Sequence, residues 1–406
     1  MQKTSRQKRI TGIDICRSVA ILLAMFSHSL IEFNFYEFRD FDTYAPFRFA
    51  IQMAPPIFIC LFGAMLEIVY KPQFERGDKE AVFQKLFNRA IQCYVLYVVT
   101  LLAQFAMGQI SLGYMLRCAL MIGVSPYADI LKFYAVALAL SPWLISLRVT
   151  YGPVYLLGAA LAVHLLFPVL QLIPKPPLIL GKDYLGMPAG FLYGGGEGVG
   201  GPSILHGMTF VVIGMIIGRA VLLSFDDQSA IRRKGAAILG ALFVCSLAIS
   251  ALLWDFQAPF QTIRNIADMS LRNLNHPIYF SLGISATIFC VVICIWLFDV
   301  QKYSWARWIS FLGKASLFTF SFGNILLYAA PDVGVSKTTS LIFSLIALFL
   351  ICLQTYVFIQ LVAPGQTGRT SEFGGLKTAF QKFVQMLQFP LQNLSELLAS
   401  KLTSER

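Results

Sequence analysis

Apolar residues run through this chain in blocks of about 20, the length that crosses roughly 30 Å of hydrocarbon as a helix. Neither the two-residue alternation of half-buried strands nor the one-sided stripe of soluble helices is the dominant pattern. Ten blocks fit the span length, at about residues 13–32, 48–70, 87–107, 129–148, 152–173, 204–224, 235–254, 277–299, 308–329 and 339–362. A closed barrel would need alternating positions, which are absent, so the pattern predicts an all-α polytopic transmembrane bundle. A further stretch, GYMLRCALMIGV at 113–124, is too short to span and is interrupted by Arg117. It is expected to lie at the interface or to dip in and return.

The segments between blocks differ in character. The longest, around 174–203, is rich in Gly and Pro and too polar to span; connections of this length are functional or disordered, so a cap over the outer mouth and an idle linker both remain open. After residue 362 the chain changes again. Leu376, Phe380, Phe383, Leu387, Leu391, Leu394, Leu397 and Leu398 recur at helical spacing between Lys and Gln, with Pro390 as a break. This divides the chain into a transmembrane domain at 1–362 and a cytoplasmic tail at 363–406, whose amphipathic helix would lie on the inner leaflet or dock to protein. No tandem repeat of solenoid length is visible.

Composition sharpens the membrane reading: 57% of the 406 residues are hydrophobic and 13% charged, about half the charge of a soluble domain. The net charge of +11 matters through its placement. With the N-terminus in the cytoplasm, Lys3, Arg6, Lys8, Arg9, Lys71, Arg76, Lys79, Lys85, Arg89, Arg219, Arg232, Arg233, Lys234, Lys302, Arg307 and Lys314 fall on one side, and the opposite loops hold few cations. That asymmetry is the positive-inside pattern and places both termini in the cytoplasm. No solvated basic domain or zinc spacing points to nucleic acid. The basic start followed by an apolar block lacks a small-x-small cleavage site, which predicts an uncleaved first helix. The eight cysteines lie almost entirely in apolar blocks without C-x-x-C spacing, the pattern of free buried thiols with no metal.

The candidate chemistry sits in the first block, ITGIDICRSVAILLAMFSHSLIEF. Arg17 and His28 are eleven residues apart, which on an α-helix is three turns plus roughly 20°, with about 16 Å of rise. One face therefore carries a cation near one end and an imidazole past the middle. Asp14, three residues before Arg17, is spaced to pair with it. Ionisable groups inside a span are costly and by default mark a functional path. A desolvated imidazole favours its neutral form, which suits a general base or a transient acyl carrier. Glu32, one turn beyond His28, is spaced to orient the imidazole.

IDICRSVAILLAMFSH at 13–28 resembles the opening helix of the acyltransferase 3 superfamily of integral membrane proteins, whose signature is an arginine, ten intervening residues and a histidine. Three further stretches carry the likeness. PPIFICLFGAMLEIVY is similar to the family's F-x-x-x-S-G segment, with Leu61-Phe62 in place of the serine context before Gly63. DILKFYAVALALSPWLISL resembles the I-L-x-x-Y helix of the periplasmic glucan succinyltransferase branch. SFLGKASLFTFSFGNILLY is similar to the L-G-x-x-S-L-x-x-Y-x-x-H span, with Phe322 to Asn324 where a histidine often stands. The similarity covers residues 10 to about 362.

That resemblance implies a multi-pass protein of the cell inner membrane that moves an acetyl or succinyl group from cytoplasmic acyl-CoA to a hydroxyl of an extracytoplasmic glycan, with His28 as base or acyl carrier. Arg17, Arg89, Arg219, Arg232, Arg233 and Lys314 would then be the cations to meet the CoA phosphates. His206, Asn275, His276 and Tyr36 are candidates on the acceptor side; helix capping and the interfacial aromatic belt are the structural alternatives for these residues. Glu67, near the inner end of the second block, would bind a basic residue or reach the interface. A transporter or flippase of a lipid-linked sugar is the alternative reading, and the acidic Glu37, Asp40 and Asp42 leave a lipid-phosphate glycosyltransferase open. The oligomeric state, including a homodimer, is also left open.

Overall fold

The computed structural model describes residues 10–362 apart from 39, 126, 175, 180, 182, 195–201, 306 and 331–335, together with 392, 393, 395, 396 and 399. The cations at 1–9, Arg39, Lys175, Lys182 and nearly all of the tail at 363–406 lie outside the described residues. In chain order the helices are α1 (Thr11–Glu32), α2 (Phe41–Ile51), α3 (Ala54–Met65), α4 (Lys71–Glu75), α5 (Lys79–Ala106), α6 (Leu112–Ala119), α7 (Asp129–Leu165), α8 (Phe167–Leu170) and α9 (Gly186–Tyr193). They continue with α10 (Ile204–Ser224), α11 (Ser229–Leu253), α12 (Pro259–Ala267), α13 (Ser270–Asn273), α14 (Pro277–Ile295), α15 (Ser310–Lys314), α16 (Ser316–Tyr328) and α17 (Lys337–Val362). No strand occurs among the described residues, so the protein is an all-α polytopic bundle.

Eight helical segments among the described residues are long and apolar enough to cross a membrane. The difference from ten blocks has two local causes. The blocks at 129–148 and 152–173 are two arms of α7, joined at Gly152 with φ 81° and ψ 179°, a conformation that glycine alone adopts readily. Arg148 at the end of the first arm meets Glu67, whereas His164 in the second arm meets Thr209 near the start of α10. Because α3 and α10 run side by side in the same direction, the second arm must climb back. The block at 308–329 is divided between α15 and the 13-residue α16. The stretch at 113–124 forms the short α6, started by Ser111 Oγ accepting from the Tyr114 N–H and tied to α5 through the Tyr94 and Tyr97 hydroxyls.

Small residues let helices approach where hydrocarbon supplies no drive for association. At Gly63, Gly214 and Gly218 an added Cβ would overlap the Val211, Cys60 and Ala64 carbonyls, so α3 and α10 touch backbone to backbone. α1 stands at the centre, packed against α3, α14, α15, α16 and α17. Ile10 supplies no side-chain cap for it. Its orphan N–H groups at Thr11 and Gly12 instead donate to the two carboxylate oxygens of Asp299 at 2.9 and 2.6 Å, which satisfies the helix start as a cap residue would. Lower on the same helix, Ser18 Oγ accepts from the Gly313 N–H at 2.8 Å and donates to the Asp14 carbonyl. Cys16 meets Cys290 at 3.2 Å, with Cys294 beside them; all three are free thiols. At the periphery, α11 and α17 turn residues such as Val244, Leu252 and Phe349 outward, as a lipid surround demands.

Glu67 lies in a π-helical turn, Leu66–Tyr70, between α3 and α4. Its carboxylate receives Arg148 Nη2 at 2.8 Å, with Lys71 at 3.8 Å. The glutamate side chain is 1% exposed and the arginine 9%. Leaving one buried charge without its partner costs about 3–5 kcal/mol. Arg148→Ala is therefore expected to lower the melting temperature of the detergent-purified protein markedly, and adding Glu67→Gln should recover part of the loss; an unchanged Arg148→Ala melt would show that the pair holds nothing together.

Candidate functional site

The half-buried His28 lies on the last turns of α1, and its ring is held on three sides. Nδ1 lies 2.8 Å from Asn324 Oδ1 on α16, and the amide is oriented by Asn324 Nδ2 donating to the Tyr127 carbonyl at 3.5 Å. With the amide oxygen facing the ring, Nδ1 must carry the proton and donate it. The lone pair is thereby left on Nε2. The Tyr127 ring lies over the imidazole at 4.5 Å between centroids, and Phe320 meets it edge-on at 5.5 Å. Tyr127 has φ 63°, an uncommon conformation for a bulky residue and one that collects at functional sites. Burial and its bond with Glu32 hold the Tyr127 phenol well above its ordinary value, so it stays a neutral donor.

Glu32 therefore reaches the histidine only indirectly. The contact with the imidazole expected of Glu32 is made by Asn324, and the Glu32 carboxylate accepts from the Tyr127 hydroxyl instead. Its distance along the helix from His28 allowed contact, but a loop tyrosine intervenes.

His28 faces a cavity of about 440 Å³, within the range of roughly 300–1,000 Å³ that small-molecule sites occupy. α1 lines it from Ala20 to Ile31 with Ile21, Ala24 and Ser27; polar groups converge from Gln52, Ser125 and Asp129, and Arg48 and Arg272 also border it. Arg17 stands just beyond the Ala20 floor, about 16 Å of helix rise from His28. The guanidinium and the imidazole thus share a helix without sharing the cavity wall. Asp14, Tyr70 and Tyr134 surround Arg17, but the Asp14–Arg17 ion pair does not form among the described residues. Arg89, Arg219, Arg232, Arg233 and Lys314 are all exposed. They lie toward the Arg17 end, on α5, α10, α11 and α15, and none borders the cavity.

None of the remaining candidates lines the cavity, and all but Tyr36 lie at helix starts. His206 is fully buried, with its Nδ1 2.8 Å from Ser203 Oγ, which also accepts the His206 N–H. Asn275 Oδ1 accepts the Ser203 N–H at 2.9 Å, and His276 caps α14 by accepting from the Ile278 N–H. Tyr36 lies under the Arg48 guanidinium, 4.7 Å from ring centroid to carbon. Asn324, Tyr127, Arg48 and Arg272 went unread in the sequence as members of this site. Only Asn324 carried a signal, standing in the stretch where the resembled span often has histidine.

In chemical terms, an imidazole with a fixed Nδ1 proton and an open Nε2 can accept a proton from a hydroxyl or attack an electrophilic carbon. A family profile described as an acyltransferase domain matches residues 10–360. No curated protein matches the chain.

The ring assignment has a direct check in nitrogen-15 spectra of labelled protein, which has four histidines. His28 is expected as the Nδ1–H tautomer, shifting toward Nε2–H in Asn324→Ala. A dominant Nε2–H form in the unaltered protein would refute the Asn324 arrangement.

Proposed function

The chain belongs to the acyltransferase 3 family and is a multi-pass membrane acyltransferase, and on that premise we propose that it moves an acyl group from cytoplasmic acyl-CoA to a hydroxyl of an extracytoplasmic glycan in a prokaryotic inner membrane. The observation that carries this reading is the His28 imidazole, fixed through Nδ1 by Asn324 and bordering a largely apolar cavity into which a few polar groups converge.

In this reading the acceptor hydroxyl gives its proton to His28 Nε2 as its oxygen attacks the thioester carbonyl. A carbon–oxygen bond forms, the carbon–sulfur bond breaks, and the proton on Nε2 passes to the departing CoA thiolate. Asn324 holds the tautomer that makes Nε2 the acceptor, and Tyr127 and Phe320 confine the ring. The same nitrogen would carry the acyl group if transfer went through an acyl-imidazole, in which case the thiolate leaves before the hydroxyl attacks. Arg17, below the cavity floor, would meet an anionic part of the donor. Arg89, Arg219, Arg232, Arg233 and Lys314 would attract CoA phosphates from the cytoplasmic side.

Purified protein supplied with acetyl-CoA or succinyl-CoA and a glucan tests the reading. His28→Ala is expected to lose about 100-fold or more in kcat, the scale of a general base; normal turnover in a folded His28→Ala protein would end the assignment. Arg17→Ala should raise KM for acyl-CoA more than it lowers kcat, and an unchanged KM would remove Arg17 from the donor site. Glycan transport by proteoliposomes lacking any acyl donor would favour the flippase reading instead.

A further inference from the structure

Two guanidinium groups border the cavity that contains His28, and the reaction as written uses neither. Arg48 comes from α2 and Arg272 from α13. Among the described residues neither forms an ion pair with a carboxylate. Arg48 Nε is buried without a hydrogen-bond partner among the described residues, and the Tyr36 ring lies beneath the guanidinium. Burial pushes the Tyr36 phenol up to about 12, so the ring stays neutral and offers its face to the cation. Arg272 Nε donates to the adjacent Asn273 side chain at 3.3 Å.

The acidic groups nearby are already committed. Asp42, on the same helix as Arg48, binds Arg264 of α12. Asp129, which borders the cavity, accepts from Lys132 at 3.2 Å and from the Ser125 N–H at 3.1 Å. Glu32 holds the Tyr127 hydroxyl. Burial holds the Arg272 guanidinium below its ordinary value; Tyr279 and Asp129 oppose this shift and Arg48 adds to it. Two half-buried neighbouring cations, neither of them ion-paired among the described residues, repel one another, and a forked guanidinium pairs well with carboxylate or phosphate.

We infer that Arg48 and Arg272 form an anion subsite that grips a carboxylate or phosphate carried by a substrate and so fixes that substrate beside His28. The inference rests on the acyltransferase reading for what the substrate is. Two sources share this chemistry: the far carboxylate of a dicarboxylic acyl group, and an anionic substituent on the acceptor glycan.

The first measurement is independent of catalysis. Melting of the full-length protein in detergent is compared in sodium succinate, inorganic phosphate and sodium chloride at equal ionic strength. Succinate or phosphate is expected to raise the melting temperature, and the rise should vanish in Arg48→Gln and Arg272→Gln; the Arg48→Lys and Arg272→Lys proteins serve where a glutamine variant fails to fold and should retain a reduced rise. Equal melting in the three salts, or a rise that persists in both glutamine variants, overturns the subsite.

The second measurement separates the sources through ratios of kcat/KM. If the acyl group brings the anion, each glutamine variant should depress transfer from succinyl-CoA about tenfold or more beyond its effect on acetyl-CoA. If the acceptor brings it, the excess loss should fall on a carboxylated glucan compared with a neutral one. An equal loss across all donors and acceptors overturns the subsite. Anion-dependent melting in a protein that transfers no acyl group would sink the acyltransfer chemistry proposed above and leave the subsite standing.

Discussion

The hydrogen bond between His28 and Asn324 is the constraint around which the site is built. An imidazole in a bundle has two nitrogens and one proton, and only a partner of known polarity decides which nitrogen stays open. Asn324 can play that part because its own amide is turned by the Tyr127 carbonyl. The chain of orientation thus runs from backbone to amide to ring. Each member is neutral, so the arrangement avoids placing a carboxylate next to the imidazole in a medium where an uncompensated charge is expensive. A carboxylate lies nearby in Glu32, but a tyrosine hydroxyl separates it from the ring and absorbs its charge.

The helix that carries His28 is fixed by contacts of the same economy. The Asp299 carboxylate accepts two of the free N–H groups at the start of α1, and Ser18 joins α1 to the backbone of α15. Backbone contact at Gly63, Gly214 and Gly218 locks α3 to α10, and the Glu67–Arg148 pair binds the π-helical turn after α3 to the descending arm of α7. A rigid cradle of this kind holds the ring still while the short α2, joined to α12 through the Asp42–Arg264 pair, and α13 supply the cationic rim through Arg48 and Arg272.

Features that repeat along one segment were legible in the sequence. The apolar blocks announced the bundle, and the eleven-residue interval announced that Arg17 and His28 belong to one helix. Pairings across the chain were not legible, because no local pattern records them: Asn324 is 296 positions from His28, and Asp299 is 287 from Gly12. Periodicity also misdirects when a loop intrudes, as Tyr127 does between Glu32 and the ring. Histidine and asparagine at helix starts, namely His206, Asn275 and His276, raised the prospect of substrate contacts; the Asn275 and His276 side chains accept backbone N–H groups there, and His206 Nδ1 meets the Ser203 hydroxyl that caps its own helix. The apolar blocks on either side of Gly152 were separable by hydropathy, but only a backbone angle reveals that they form a single folded-back element.

The Asp299 contact with α1 also has a meaning in time. α1 leaves the ribosome before the other helices described, whereas its terminal anchor Asp299 and the Asn324 amide that fixes its imidazole are synthesised near the end of the transmembrane region. A nascent chain inserted only as far as α14 carries the histidine without the amide that holds its ring. The surroundings of the histidine are therefore complete only once the bundle closes on its own beginning.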